Sequence, residues 1–354
     1  MMELRAARRS ERDEVLDLLG LWYKDREFFA RYNQNDPKFR DELCLIARDG
    51  DALVATVQIF DRAVQLDGQA TPMGGIGSVF TREDYRHQGV ASALMRMAVE
   101  TLEREQFEVS LLFAERLTFY NQFGWREIGR KFSVLANASA LRASGEYEID
   151  VFDPARDLDA IASIHRDYTG RFNVSAVRDA ADWQGNLIFA GNQPGEGCAE
   201  YFIIACSRSR PSAYARVTRF YGVTMVMEYG YRGGMEDALL TLFQHLGEAA
   251  TGARCSHRLQ GDHRGAAMLT EGTGGAGAPA GVLVTHTAHD KTLESRLTAA
   301  GAPVAYHQDN NYMWRIVSAH KLGKRLGLPP DWATARAFEL FASDNSLFWS
   351  ADRF

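Results

Sequence analysis

An apolar, strand-like run (Ile76, Val79, Phe80) leads into Arg86-His87-Gln88-Gly89-Val90-Ala91, and a helix-like pattern follows at once. A strand that turns through a glycine into a helix belongs to a layered α/β fold. It also makes an anion site. The first N–H groups of the helix point outward unpaired, and the helix dipole adds positive potential. The segment Gly77–Ser92 therefore reads as the cradle of a phosphate-bearing ligand. Other glycine patterns fit less well. Gly74-Gly75-Ile76-Gly77 comes before the strand, so it is no dinucleotide fingerprint, and no Gly-Lys-Ser/Thr occurs, which argues against a nucleotide triphosphatase.

The rest of the first third fits one α/β unit. Met2–Ala7 reads as a strand, and Ser10 with Asp13 opens a helix whose apolar face is Val15, Leu16, Leu18, Leu19 and Leu21. Phe28–Tyr32 is a second helical piece. Asp49-Gly50 and Asp67-Gly68 are hairpin turns between strands. After Ala91, Leu94, Met97, Ala98 and Leu102 recur at helical spacing, Phe107–Phe113 is a buried strand, Leu117–Asn121 a short helix, and Trp125–Leu135 a strand. The expected order is β-α-α-β-β-β-α-β-α-β. From Glu146 a similar order begins again, with strands at Tyr201–Ala205, Ala213–Arg216, Val223–Tyr229, Val282–Thr285 and Tyr312–Val317 and helices at Leu158–Thr169, Ala238–His245 and His289–Ala300. The second half reads as a diverged copy of the first. Gly272–Gly281 reads as a surface loop.

A chain of 354 residues with a formal net charge of −6 argues against nucleic acid or an anionic membrane as the main partner. The start, MMELRAARRSERDEVLDLL, lacks the apolar core of a secretion signal, and the four cysteines, Cys44, Cys198, Cys206 and Cys255, form no CxxC pair. The expectation is a cytoplasmic protein with free thiols and no metal site.

Arg86-x-x-Gly89-x-Ala91, between a strand and a helix, resembles motif A of the GCN5-related N-acetyltransferase (GNAT) superfamily. Phe119-Tyr120-Asn121-Gln122-Phe123-Gly124-Trp125 resembles a later element of the same family. The resemblance covers residues 1 to about 137 and implies acetyl-CoA as co-substrate. Gly89 lets the backbone approach the pyrophosphate, the N–H groups of His87, Gln88, Gly89, Val90, Ala91 and Ser92 cradle its oxygens, and Arg86 adds charge. Val79, Phe80 and Thr81 pair with the pantetheine arm as an added strand would. Tyr120 is the general acid for the CoA thiolate, as the tyrosine at this position is in the family.

The two-copy layout with an aromatic end resembles the enhanced intracellular survival (Eis-like) acetyltransferases. In that group the second domain is a degenerate copy, and the terminal carboxylate, here that of Phe354, serves as general base. Glu115 and His87 are further candidates for the base, and neither spacing selects one. The group also carries a sterol-carrier-like third domain, which the roughly 37 residues after Val317 cannot build. The expectation is therefore an α/β protein of tandem GNAT folds, each a mixed, mostly antiparallel sheet flanked by helices. Residues 1–142 form the catalytic domain, 143–317 a degenerate copy without cofactor, and 318–354 a tail docking toward the active site. The implied reaction is acetyl transfer to a primary amine of a small molecule (aminoglycoside-, polyamine- or lysine-like). A homo-oligomer is compatible with this reading. The alternative is a non-catalytic acyl-CoA sensor.

Overall fold

The structure is a computed structural model that describes residues 2–23, 26–135, 138–143, 147–189, 200–220, 223–251, 283–285, 290–302, 304–349 and 352. The Gly272–Gly281 loop and Phe354 lie outside the described residues. The first half runs β1 (Met2–Ala6), α1 (Arg12–Tyr23), α2 (Arg26–Asn35), β2 (Cys44–Asp49), β3 (Ala52–Leu66), β4 (Gln69–Thr81), α3 (Val90–Arg104), β5 (Val109–Phe113), α4 (Leu117–Asn121) and β6 (Arg126–Leu135). This is the order read from the sequence. Leu94, Ala98 and Leu102 of α3 are buried against the sheet as their helical spacing predicts, while Met97 is only partly buried and Met95, not named from the spacing, is buried beside them.

The second half runs β7 (Glu148–Val151), α5 (Pro154–Thr169), β8 (Val174–Val177), α6 (Ala180–Phe189), β9 (Glu200–Ser207), β10 (Arg210–Phe220), β11 (Val223–Tyr231), α7 (Glu236–Thr251), β12 (Leu283–Thr285), α8 (Lys291–Ala299) and β13 (Val304–Ile316). Helices α9 (Ala319–Leu326) and α10 (Pro330–Ala342) follow. Asp153 caps α5 by accepting from the Ala155 N–H, with Pro154 at the first helical position.

Among the described residues the strands form one sheet in the order β1-β2-β3-β4-β5-β13-β6-β12-β11-β10-β9-β7, with β8 paired to β3 at the side. The fold is α/β, and the pairs are antiparallel except β4 with β5 and β11 with β12. The order is symmetric. Read from the far end, β7, β9, β10, β11 and β12 take the places of β1 to β5, and β6 and β13 change places. Each half's last strand thus completes the other half's sheet. Strand β13 lies between β5 and β6, pairing Trp314 with Leu111 on one side and with Arg126 on the other.

The tail crosses between the halves. Leu347 donates its N–H to Val174 O at 2.7 Å. Phe348 packs beside Phe113 and Trp314, while the next residue, Trp349, packs against Tyr229 and Tyr168. Both side chains are buried.

Candidate active site

Strand β4 is the backbone of the site. Its parallel pairs with β5 run from Met73 to Ile76. From Gly77 to Thr81 it continues against β3 alone among the described residues, which leaves its other edge open there. Gly77 faces Gln58 and Phe80 faces Thr56, so Ser78 and Val79 oppose the single residue Val57. This is a β-bulge, with Ser78 held at a φ of 49°. It bends the strand where it parts from β5. The sequence gives no sign of it, because serine is not a left-handed residue by type.

Beyond Thr81 a short turn at Glu83–Tyr85 leads to the helix. The Gln88 side-chain amide donates to Asp84 O at 2.8 Å, which folds that side chain back onto the turn. The Arg86 side chain is exposed and touches Thr81 O at 3.3 Å. His87 and Gly89 have positive φ, 62° and 80°. Gly89 caps α3 without a side-chain acceptor, and the first helical bond to its carbonyl comes from Ala93 at 3.0 Å. The N–H groups ahead of Ala93 therefore face outward at the positive end of a helix of 15 residues. No acidic residue stands in that first turn.

Tyr120 is on α4, two elements later in sequence, yet it packs on the same apolar core as Val79, Tyr85 and Val90. Burial pushes its hydroxyl up to about 12, against the opposing pull of Arg116. The hydroxyl is therefore protonated throughout the physiological range. Residues Glu115, Arg116, Leu117, Thr118, Phe119 and Gln122 line an open cleft of about 550 Å³. Glu115 is exposed there. Trp22 at the end of α1 stacks on Phe80 with ring centroids 6.0 Å apart. About half of Trp22 is exposed.

The second half has the same turn with different chemistry. Strand β11 ends at Tyr231, Gly234 has a φ of 78°, and α7 begins at Glu236. Two carboxylates, Glu236 and Asp237, occupy the first turn of α7, where they offset the dipole and repel a phosphate. The strand end is packed with aromatic rings: Tyr168, Tyr229 and Trp349 lie together, and the Tyr168 and Tyr231 hydroxyls donate to Asp290 at 3.1 and 2.6 Å. On its other flank, Arg178 bridges Glu228 and Asp352 at 2.6 Å each, all three side chains being buried. Burial alone would raise Glu228, but Arg178 and Arg216 hold it down at about 2. Burial pushes Asp352 up, with Arg178 opposing.

The cofactor-side residues named from the sequence lie at the end of β4, on the turn after it and at the start of α3, and Tyr120 packs on the same core. Phe354 is not described. Sequence reasoning missed the bulge at Ser78, the Trp22–Phe80 stack and the contact of Arg315 with the α4 turn, where its Nη1 donates to Phe123 O. The first leaves no sequence signal. The last two join residues 58 or more apart, and only an arginine inside the apolar strand Tyr312-Met313-Trp314-Arg315-Ile316 hinted at one of them.

An open-edged strand, a bare helix N-terminus and a half-buried tyrosine on the next helix thus share one apolar core. Residues 3–128 match the family model described as the acetyltransferase (GNAT) domain. Among solved structures, a GCN5-related N-acetyltransferase from Anabaena variabilis is similar over 92% of this chain and 75% of its own, with a TM-score of 0.67 and 13% identity. Eis1 from Mycobacterium abscessus is similar over 92% and 76%, with a TM-score of 0.59 and 14% identity. N-myristoyltransferase from Saccharomyces cerevisiae, solved with myristoyl-CoA, is similar over 89% and 82%, with a TM-score of 0.53 and 12% identity. No curated protein matches the sequence. Among the described residues, no helix is long and apolar enough to cross a membrane and no group of metal-ligating side chains occurs.

Proposed function

We propose that the protein is an N-acetyltransferase that moves the acetyl group of acetyl-CoA to a primary amine of a small molecule. The observation that carries this is the convergence of the Gly89 turn, the open edge of β4 and Tyr120 on one core. The pyrophosphate sits against the N–H groups from His87 to Ser92, with Arg86 beside it. The pantetheine arm runs along Val79, Phe80 and Thr81. The amine nitrogen attacks the thioester carbonyl carbon, the C–S bond breaks, and the sulfur leaves as thiolate. Tyr120 gives that thiolate its proton. A free tyrosine would also be protonated at pH 7, but burial keeps Tyr120 so well into alkali.

The acceptor ammonium must lose a proton before it attacks. Two carboxylates are proposed for this: Glu115 on the cleft wall, and the terminal one of Phe354. The exposed face of Trp22 beside Phe80 offers a cation–π surface for the amine, in keeping with an aminoglycoside-, polyamine- or lysine-like acceptor. We assign catalysis to residues 1–142. Residues 143–317 form a copy whose acidic helix start disfavours CoA, and 318–354 form the tail.

Incubation of the full chain with acetyl-CoA and a panel of amines, followed by mass spectrometry, tests the reading. The expected result is a gain of one acetyl group on at least one amine with stoichiometric release of CoA thiol. Saturable CoA binding with no acetylated product from any amine would instead make the protein a sensor.

A further inference from the structure

We propose that Arg315 is the positioning residue for Tyr120, holding the turn that carries it from a strand of the other half of the chain. Helix α4 has only five residues, far too few to be stable alone. Something outside it must fix its end. Its last turn closes locally, with Phe123 N–H donating to Tyr120 O and Gly124 N–H to Asn121 O, both at 3.0 Å. The Phe123 carbonyl then faces away from the helix, and Arg315 Nη1 donates to it.

Three further observations place this contact by design of the fold. Gly124 has a φ of 90°, and a Cβ at this position would collide with Arg315 Nη1. The glycine of the Phe-Gly-Trp sequence thus makes room for the guanidinium. The guanidinium also lies over the ring of Trp125, 5.5 Å from its centroid, and Trp125 is buried. Finally, Nη2 is 3.9 Å from Glu103 near the end of α3, the helix whose start forms the phosphate turn. Arg315 is thereby tied to both helices of the site. Its own backbone is fixed between two strands, opposite Ser110 of β5 and next to Trp314, which faces Arg126 of β6. A cation at the C-terminal end of α4 is also favoured by the helix dipole. The second half thus contributes to catalysis without binding cofactor.

This inference rests on Tyr120 being the proton donor, and the experiment separates the two claims. Steady-state kinetics are measured for the wild type, Arg315→Ala, Tyr120→Phe and the double variant. Arg315→Ala lowers kcat by up to about a hundredfold, the scale of a misplaced catalytic group, and leaves KM for acetyl-CoA within about twofold. In the Tyr120→Phe background it has no further effect, because the group it positions is gone. Arg315→Lys, which keeps one donor and the charge, recovers part of the rate. If Arg315→Ala does not fold by circular dichroism, Arg315→Lys is carried through the same cycle, with a smaller loss that also vanishes beside Tyr120→Phe. Equal fold-losses in both backgrounds, or a raised KM with unchanged kcat, overturn the role of Arg315 alone. A wild-type rate in Tyr120→Phe overturns the donor assignment itself.

Discussion

Tyr120 combines burial with an ionisable hydroxyl, and both consequences can be measured. Its pKa near 12 places the protonated form well above neutral pH, so loss of the donor does not shape the rate profile below about pH 10. The sign for stability follows. The folded state holds the proton more tightly than the unfolded chain, so this contribution is present below pH 10 and falls away as pH rises toward 12. His165 has the opposite sign. Burial pushes it down to about 3, so its contribution is present above about pH 6.5 and is lost as pH falls toward 3. Glu228, held at about 2, adds its own loss only below about pH 4.5. Urea unfolding between pH 6.5 and 4.5 should therefore show a shallower decline in His165→Leu than in the wild type; an equal decline would remove His165 as the cause. At Gly89 the left-handed conformation is the issue, since a Cβ there meets no atom within 4 Å. Gly89→Ala should cost about 1–2 kcal/mol in urea unfolding and weaken CoA binding in calorimetry. Unchanged affinity would show that the turn does not hold the pyrophosphate.

At the scale of elements, α3 and α7 make the comparison that matters. Both follow a strand and a left-handed glycine, yet α3 starts without acidic residues and α7 starts with Glu236 and Asp237. Calorimetric titration should accordingly give one CoA site per chain, and two sites would contradict the contrast between the helices. Much of this was readable beforehand. Helix α4 falls on the residues its pattern indicates, and α3 was plain from its apolar spacing, because local periodicity reports which face meets the core. Strand β13 was read only from Tyr312, although it starts at Val304, since Ala305-Tyr306-His307-Gln308-Asp309-Asn310-Asn311 carries little apolar signal. Strand β8 and helix α6 were not read at all; β8 is four residues long and is held by β3 and by the tail, both distant in sequence. The glycine at 124 was visible as part of a motif, but its reason, a guanidinium 191 positions further on, was not.

In the whole molecule, the exchange of β6 and β13 makes the halves interdependent. Expressed without the rest of the chain, residues 1–142 would leave β5 and β6 with no strand between them and would expose Leu111, Leu112 and Trp125. The fragment should aggregate or bind a hydrophobic dye, and a soluble, cooperatively folded fragment would refute the dependence. The most direct measurement of the central claim compares the wild type with Tyr120→Phe, using acetyl-CoA and an accepted amine, alongside CoA titration of each. The account predicts a kcat lower by about 10²–10⁴-fold with CoA affinity nearly unchanged. A Tyr120→Phe protein that acetylates the amine at the wild-type rate would contradict it.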